Sequence, residues 1–147
     1  MRRAFTSSIY LRNAGAVLLI LHKRFNLWVP VGGELEPNET PLEAAKREAH
    51  EETGIDPSVM TFVPIARPNT IEGTPDGFIT YEEHEGPPEK GWHMNFAFLV
   101  DVPSRDVPKP CEEFTEFRWF NGNEPELLTK APRNVARLVY LALKVYP

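Results

Sequence analysis

The stretch GELEPNETPLEAAKREAHEETGI, Gly33 to Ile55, constrains the fold more than any other part of the chain. It reads as a loop feeding a helix. Thr40 is a good N-cap, Pro41 suits the first helical position and Glu43 stands three residues after the cap, which is the form of a capping box. Gly54 suits a left-handed terminator, and Asp56-Pro57 blocks continuation. At about 100° per residue the faces of this helix separate. Leu42, Ala45 and Ala49 form an apolar stripe, Glu48, Glu51 and Glu52 gather beside it, and Glu43, Lys46 and His50 take the outer side. A Glu-rich helix is ordinarily a solvated face. Here three carboxylates crowd a core-facing stripe, and the i, i+4 pair Glu48 and Glu52 repels by roughly 0.2–0.5 kcal/mol even when exposed. Arg47 can pair with Glu51, which relieves one of the three. A divalent cation relieves them all, and clustered carboxylate oxygens suit Mg²⁺ or Mn²⁺, hard ions that keep several waters and share a substrate phosphate.

The spacing of Gly33, Glu39, Arg47, Glu48, Glu51, Glu52 and Gly54, closed by Ile55, resembles the Nudix box, Gly-x5-Glu-x7-Arg-Glu-U-x-Glu-Glu-x-Gly-U, where U is a bulky aliphatic. Every fixed position matches. Ala49 is the one departure, and it predicts looser packing rather than lost chemistry. The resemblance implies an α/β protein with the Nudix fold, an α/β/α sandwich around a mixed β-sheet, with residues 1–147 forming one domain. It implies hydrolysis of a nucleoside diphosphate linked to another moiety, such as a nucleotide sugar, ADP-ribose, a (d)NTP or a dinucleoside polyphosphate. Carried over by position, it puts the metal on Glu48, Glu51 and Glu52 with help from the Gly33 carbonyl. It puts the general base at Glu48 or Glu51, or on a loop glutamate. Arg47 becomes an orienting partner for Glu51 or Glu39, and Glu39 an anchor between loop and helix. A nucleotide-sensing domain without turnover and an RNA 5′-end pyrophosphohydrolase are the alternatives. A diphosphate isomerase of the same fold resembles one needing a cysteine ahead of the box, and Cys111 lies after it.

At 147 residues the chain is long enough for a real core, and 41% hydrophobic with 25% charged residues is ordinary for a soluble globular protein. The net charge of −5 speaks against a nucleic-acid polymer as partner and leaves a small anionic nucleotide open, because a metal and local basic groups outweigh a global charge. One cysteine excludes an intramolecular disulfide and a cysteine zinc cage. The apolar run Ala14 to Leu21 is too short to cross a membrane, so the expected compartment is the cytoplasm, with homodimerisation open.

Strands are expected at residues 8–12, 14–21, 27–30, 59–66 (broken by Pro64), 78–81, 92–102 and 113–120, and a closing amphipathic helix over 132–146. Val31-Gly32-Gly33 reads as a loop. Alternation along 92–102 puts Trp92, Met94, Phe96, Phe98 and Val100 on one face and His93, Asn95, Ala97, Leu99 and Asp101 on the other. His93 and Asn95 are therefore candidates to line a substrate cleft. Lys23 and Arg24, in a basic turn, are candidates to meet phosphates, and Trp28, Trp92 and Phe25 to stack a base. The long segment 67–91, rich in proline, glycine and acids (Glu72, Asp76, Glu82, Glu83, Glu85, Glu89), is expected to carry substrate specificity or a base.

Overall fold

The computed structural model describes residues 2–67, 71–86, 90–112 and 114–147. Pro68, Pro87, Pro88, Glu89 and Glu113, which belong to segments expected above, lie outside the described residues. The chain forms β1 (Arg3–Asn13), β2 (Ala16–His22), β3 (Trp28–Val29), β4 (Val31–Glu34), α1 (Pro41–Thr53), β5 (Thr61–Phe62), β6 (Phe78–Glu85), β7 (Trp92–Asp101), β8 (Phe114–Phe120), α2 (Glu126–Thr129) and α3 (Arg133–Lys144).

The sheet is mixed. β1 and β7 run parallel in register from Arg3 opposite Trp92 to Arg12 opposite Asp101. The other pairings are antiparallel. β1 and β2 meet across a tight hairpin in which Ala14 and Gly15 both have positive φ, the backbone of a primed two-residue turn. They pair only at this end. Further back β1 takes β4 as its neighbour, Thr6 to Ile9 against Glu34 to Val31, while β2 takes β3 and β8. Pro30, which has no amide hydrogen to give to either ladder, stands where the chain passes from β2's edge to β1's.

Each face of the sheet carries its own core. One buries Ile9, Leu11, Leu18, Ile20, Val31, Phe98 and Val100 against Ala45 and Ala49 of α1. The other buries Tyr10, Val17, Leu19, Trp28, Ala97, Leu99 and Phe120 against Val135, Leu138, Val139 and Ala142 of α3. Helices on both faces of a mixed sheet make the expected sandwich, and the period-2 alternation of β1, β2 and β7 supplies it.

Several expected boundaries move. β1 is more than twice the length read from its apolar residues, because Arg3 to Thr6 pair in the parallel ladder although Arg3 and Phe5 are exposed. Val31 to Glu34 is a strand rather than a loop. The run 59–66 shrinks to Thr61–Phe62, since Pro57 opens a 3₁₀ turn over Pro57–Val59 and Pro64 has no donor to continue the ladder. β6 extends to Glu85 through charged residues that lie on the sheet's exposed edge. The four-residue α2 had no periodic signal to be read from.

Candidate active site

The geometry begins at α1. Thr40 Oγ1 accepts from the Glu43 amide at 3.1 Å, and the Glu43 carboxylate accepts from the Thr40 amide at 2.9 Å, so the capping box is complete. At the other end Gly54 has φ 76°, and a side chain there would run into the backbone of Lys109. The segment that crosses at that point donates from the Lys109 and Cys111 amides to the last helical carbonyls, Thr53 and Glu52. Both ends of α1 are fixed, and the helix lies on the sheet through alanines, which bring its axis close. Ala49, the departure from the box pattern, is fully buried in that contact.

Close approach then brings the carboxylates to β4. Glu52 is 8% exposed and accepts from the Gly32 amide at 2.7 Å. A Cβ on Gly33 would overlap the Glu48 carboxylate, so the missing side chain is the cradle in which that carboxylate lies. On Gly32 a Cβ would overlap the Ser7 carbonyl of the paired strand. Ser7 Oγ in turn donates to the Pro41 carbonyl at 2.8 Å, which ties β1 to the first turn of α1.

Arg47 is the hub. Its Nε and Nη2 donate to the two oxygens of Glu39 at 2.7 and 2.8 Å, a bidentate fork. Nη1 reaches Glu48 at 3.0 Å and Glu51 at 3.2 Å, and Nη2 also donates to the Glu34 carbonyl at 3.1 Å. Glu39 completes the link by accepting from the Glu36 amide at 2.9 Å. The Arg47 hydrogen bonds hold the Glu39 carboxyl down to a pKa of about 2, and the same carboxylates push the Arg47 guanidinium up. Glu48 is thus turned toward Arg47 and Glu52 toward β4, while the Glu51 side chain is 54% exposed. Among the described residues no three acidic, histidine or cysteine side chains stand close enough together to ligate one ion.

These groups form one wall of a cavity of about 880 Å³ that includes Gly32, Gly33, Glu34, Arg47, Glu48, Glu51 and Glu52. Arg2, just before β1, and Lys90, on the approach to β7, bring positive charge to it. Arg2 forks onto Glu34 at 2.5 and 2.7 Å, which lowers the Glu34 pKa. A second chamber of about 430 Å³ adjoins, sharing Thr6, His22, Phe25, Gly32, Gly33 and His93 with the first.

The remaining candidates separate. His93 lines both chambers; its Nε2 is buried with no hydrogen-bond partner among the described residues, and burial first, then neighbouring His84, lowers its pKa. Asn95 lines the second chamber with both amide hydrogens engaged: Nδ2 donates to Ser8 Oγ at 2.9 Å and Glu82 at 3.0 Å, and Oδ1 accepts from Thr6 at 2.8 Å. Lys23 and Arg24 line neither chamber; Arg24 lies over the ring of Phe25. Trp28 is corrected outright as a stacking residue: it is 1% exposed, packed edge-on against Phe120, with Nε1 on Glu126. Trp92 lines neither chamber, whereas Phe25 lines both. Of the acids expected in 67–91, Glu82 and Glu85 reach the second chamber. Arg2, Lys90, Glu34 and Asn134 went unread. Their only signals are a pair of arginines at the start and isolated polar residues, which become neighbours through the long β1–β7 register.

A family model described as the NUDIX domain matches residues 1–141. The chain belongs to that family and is a Nudix hydrolase. Comparison with curated proteins finds no significant sequence match. Among solved structures, a NUDIX-family hydrolase from Clostridium perfringens superposes with a TM-score of 0.80 at 25% identity, over 99% of each chain. An Ap4A hydrolase from C. elegans gives 0.66 at 20% identity, over 93% of this chain and 91% of that one. The E. coli dihydroneopterin triphosphate pyrophosphohydrolase gives 0.68 at 18%, over 96% and 94%. The last two share the fold. Hydrolases of this family act on small nucleotide-type substrates and generally depend on a divalent metal.

Proposed function

We propose that residues 1–147 form one Mg²⁺-dependent pyrophosphohydrolase domain, which cleaves a nucleoside diphosphate linked to another moiety. The observation that carries this reading is the Gly33 cradle: β4 leaves a side-chain-sized space that a carboxylate of α1 occupies, on the wall of the 880 Å³ cavity. The donor types suit a hard divalent ion: Glu48, Glu51 and Glu52 supply carboxylate oxygens from one helix, and Gly33, whose missing side chain cradles Glu48, lies on the facing strand. Gathering the three carboxylates on one ion requires Glu48 and Glu51 to turn from Arg47. Such an ion, when bound, offsets the diphosphate charge and lowers the pKa of a water.

The chain's own residues do the rest. Arg47 holds Glu48 on the cavity wall and is itself held by the Glu39 fork, so Glu48 reaches the reaction with little rotamer freedom to lose. Glu52 is fixed by the Gly32 amide. Glu51, the most open of the three and held among the described residues by Arg47 alone at 3.2 Å, is the group best able to turn toward an attacking water and take its proton. Arg2 and Lys90 line the same cavity as the acids and are the groups that would meet phosphate oxygens away from the scissile bond.

The test is turnover with and without Mg²⁺ across (d)NTPs, ADP-ribose, nucleotide sugars and dinucleoside polyphosphates. Phosphoanhydride cleavage of at least one compound, abolished by chelation and restored by Mg²⁺, is expected. Tight nucleotide binding with no turnover on any compound would replace this reading with a sensing role.

A further inference from the structure

We propose that the second chamber selects a fused ring carrying a 2-amino-oxo-pyrimidine edge, the edge shared by guanine and pterins, and that Glu82 reads it. This rests on the reading of the cleft as a phosphoanhydride-hydrolase site, since it assigns the part of the substrate beyond the diphosphate.

The chamber is shaped for a flat group. His22 and Phe25 stack on each other with ring centroids 4.6 Å apart and planes 22° from parallel. Both line the chamber, together with Val29 and Pro30 at the strand crossover and Pro132 and Val135 at the start of α3. A chamber lined by a stacked aromatic pair and apolar side chains accepts a planar ring, and stacking alone does not discriminate among bases.

Discrimination comes from the polar edge. Glu82 on β6 accepts from Asn95 Nδ2 at 3.0 Å through one oxygen and from Asn134 Nδ2 at 2.9 Å through the other. Asn95 has no hydrogen left to donate, because both its amide hydrogens are engaged within the sheet. It is a positioning residue that fixes the carboxylate. A carboxylate oxygen accepts more than one hydrogen bond, so Glu82 keeps acceptor capacity at the chamber, beside the Asn134 carbonyl oxygen. A carboxylate held in place by two amide donors calls for adjacent N–H donors on the ligand. The ring N–H and the exocyclic amino group of guanine or a pterin form that pair, at a spacing a carboxylate can bridge with two oxygens. Adenine turns a ring nitrogen acceptor to the same place, and hypoxanthine lacks the amino group. A site built to hydrogen-bond a donor rejects the analogue without it.

Equilibrium binding in the presence of a chelator tests this without catalysis, because mononucleotides carry no phosphoanhydride. Calorimetry would compare GMP, IMP, AMP, CMP, UMP and neopterin on the full chain. GMP or neopterin should bind at least about ten-fold tighter than IMP and AMP, the loss expected for a buried hydrogen bond to a charged acceptor. Guanosine compared with neopterin, neither of them phosphorylated, assigns the source of the ring. Glu82→Gln should collapse the GMP-over-IMP ratio, and Asn134→Ala should reduce it. Equal binding across the panel, preference for another base, no binding at millimolar concentration, or an intact GMP preference in folded Glu82→Gln would overturn the proposal. Anhydride hydrolysis with no base preference would sink this inference alone. A GMP preference in a chain that hydrolyses nothing would sink the hydrolase reading alone.

Discussion

At the scale of single residues, Arg47 decides the geometry of the site, and its partner Glu39 gives a pH signature. The Glu39 carboxyl is held near 2, well below its unfolded value of about 4.5. A depressed folded pKa contributes stability that is fully present above the unfolded value and is lost as pH falls through the folded one. Chemical denaturation of the wild type between pH 5 and 2 should therefore show a decline that Glu39→Gln removes in part. An identical slope in both would detach Glu39 from the pair. Gly33 gives a sharper test. The nearest atoms to a Cβ there are the end of the Glu48 side chain, which would have to leave Arg47 to make room. Gly33→Ala should keep the melting temperature within a few degrees and lose most of its turnover. A large loss of stability would mean that the glycine serves the backbone instead. Much at this scale was legible in sequence, because the box residues act through one helix and the strand just before it. Trp28 was open between stacking a base and joining the core, as an aromatic beside a strand more often does, and the closed sheet decides for the core.

At the scale of elements, α1 is the part whose structure follows most directly from its sequence. Its caps, its alanine face and its termination are local properties, and all are present. Thr40→Ala removes the side-chain acceptor for the Glu43 amide and should cost about 1 kcal/mol. Equilibrium denaturation measures that, and a change within error would show that the crossing segment at Lys109–Cys111 holds the helix without its cap. The strands were legible only where both faces carry a pattern. β7 alternates cleanly, so its two faces were separable, and they do pack on opposite helices. The start of β1 and the end of β6 carry charged and exposed residues, and their pairing is decided by β7, which is remote in sequence. Glycines 32 and 33 read as a loop because strand propensity argues against them. The structure uses them in a strand because both neighbours, Ser7 behind and Glu48 in front, need the space.

At the scale of the whole molecule, the sheet divides so that β1 and β2 part company, and the cleft opens on the divided end. The far end is held shut. Arg12, 11% exposed, forks onto Asp101 at 2.6 and 2.9 Å and donates to the carbonyls of Ala142, Tyr146 and Pro147. One side chain thus joins β1, β7 and the end of α3. Arg12→Ala should destabilise the fold by on the order of 2–3 kcal/mol, as expected when charged hydrogen bonds lose their donor. Its kcat should barely move, since the pair lies at the opposite end from Glu48. A kcat loss without a stability loss would contradict that separation. None of this could be read from the chain, because a lone arginine carries no mark of the register that pairs it with Asp101. Among the described residues no helix is long and apolar enough to cross a membrane.

The central claim is that the α1 carboxylates, set against β4, perform the chemistry. Glu52→Gln tests it most directly, because a glutamine oxygen can still accept from the Gly32 amide and so leave the backbone contact in place. Mg²⁺-dependent kcat should fall by orders of magnitude while the melting temperature stays close to wild type. Near-normal turnover in the folded variant would contradict the account.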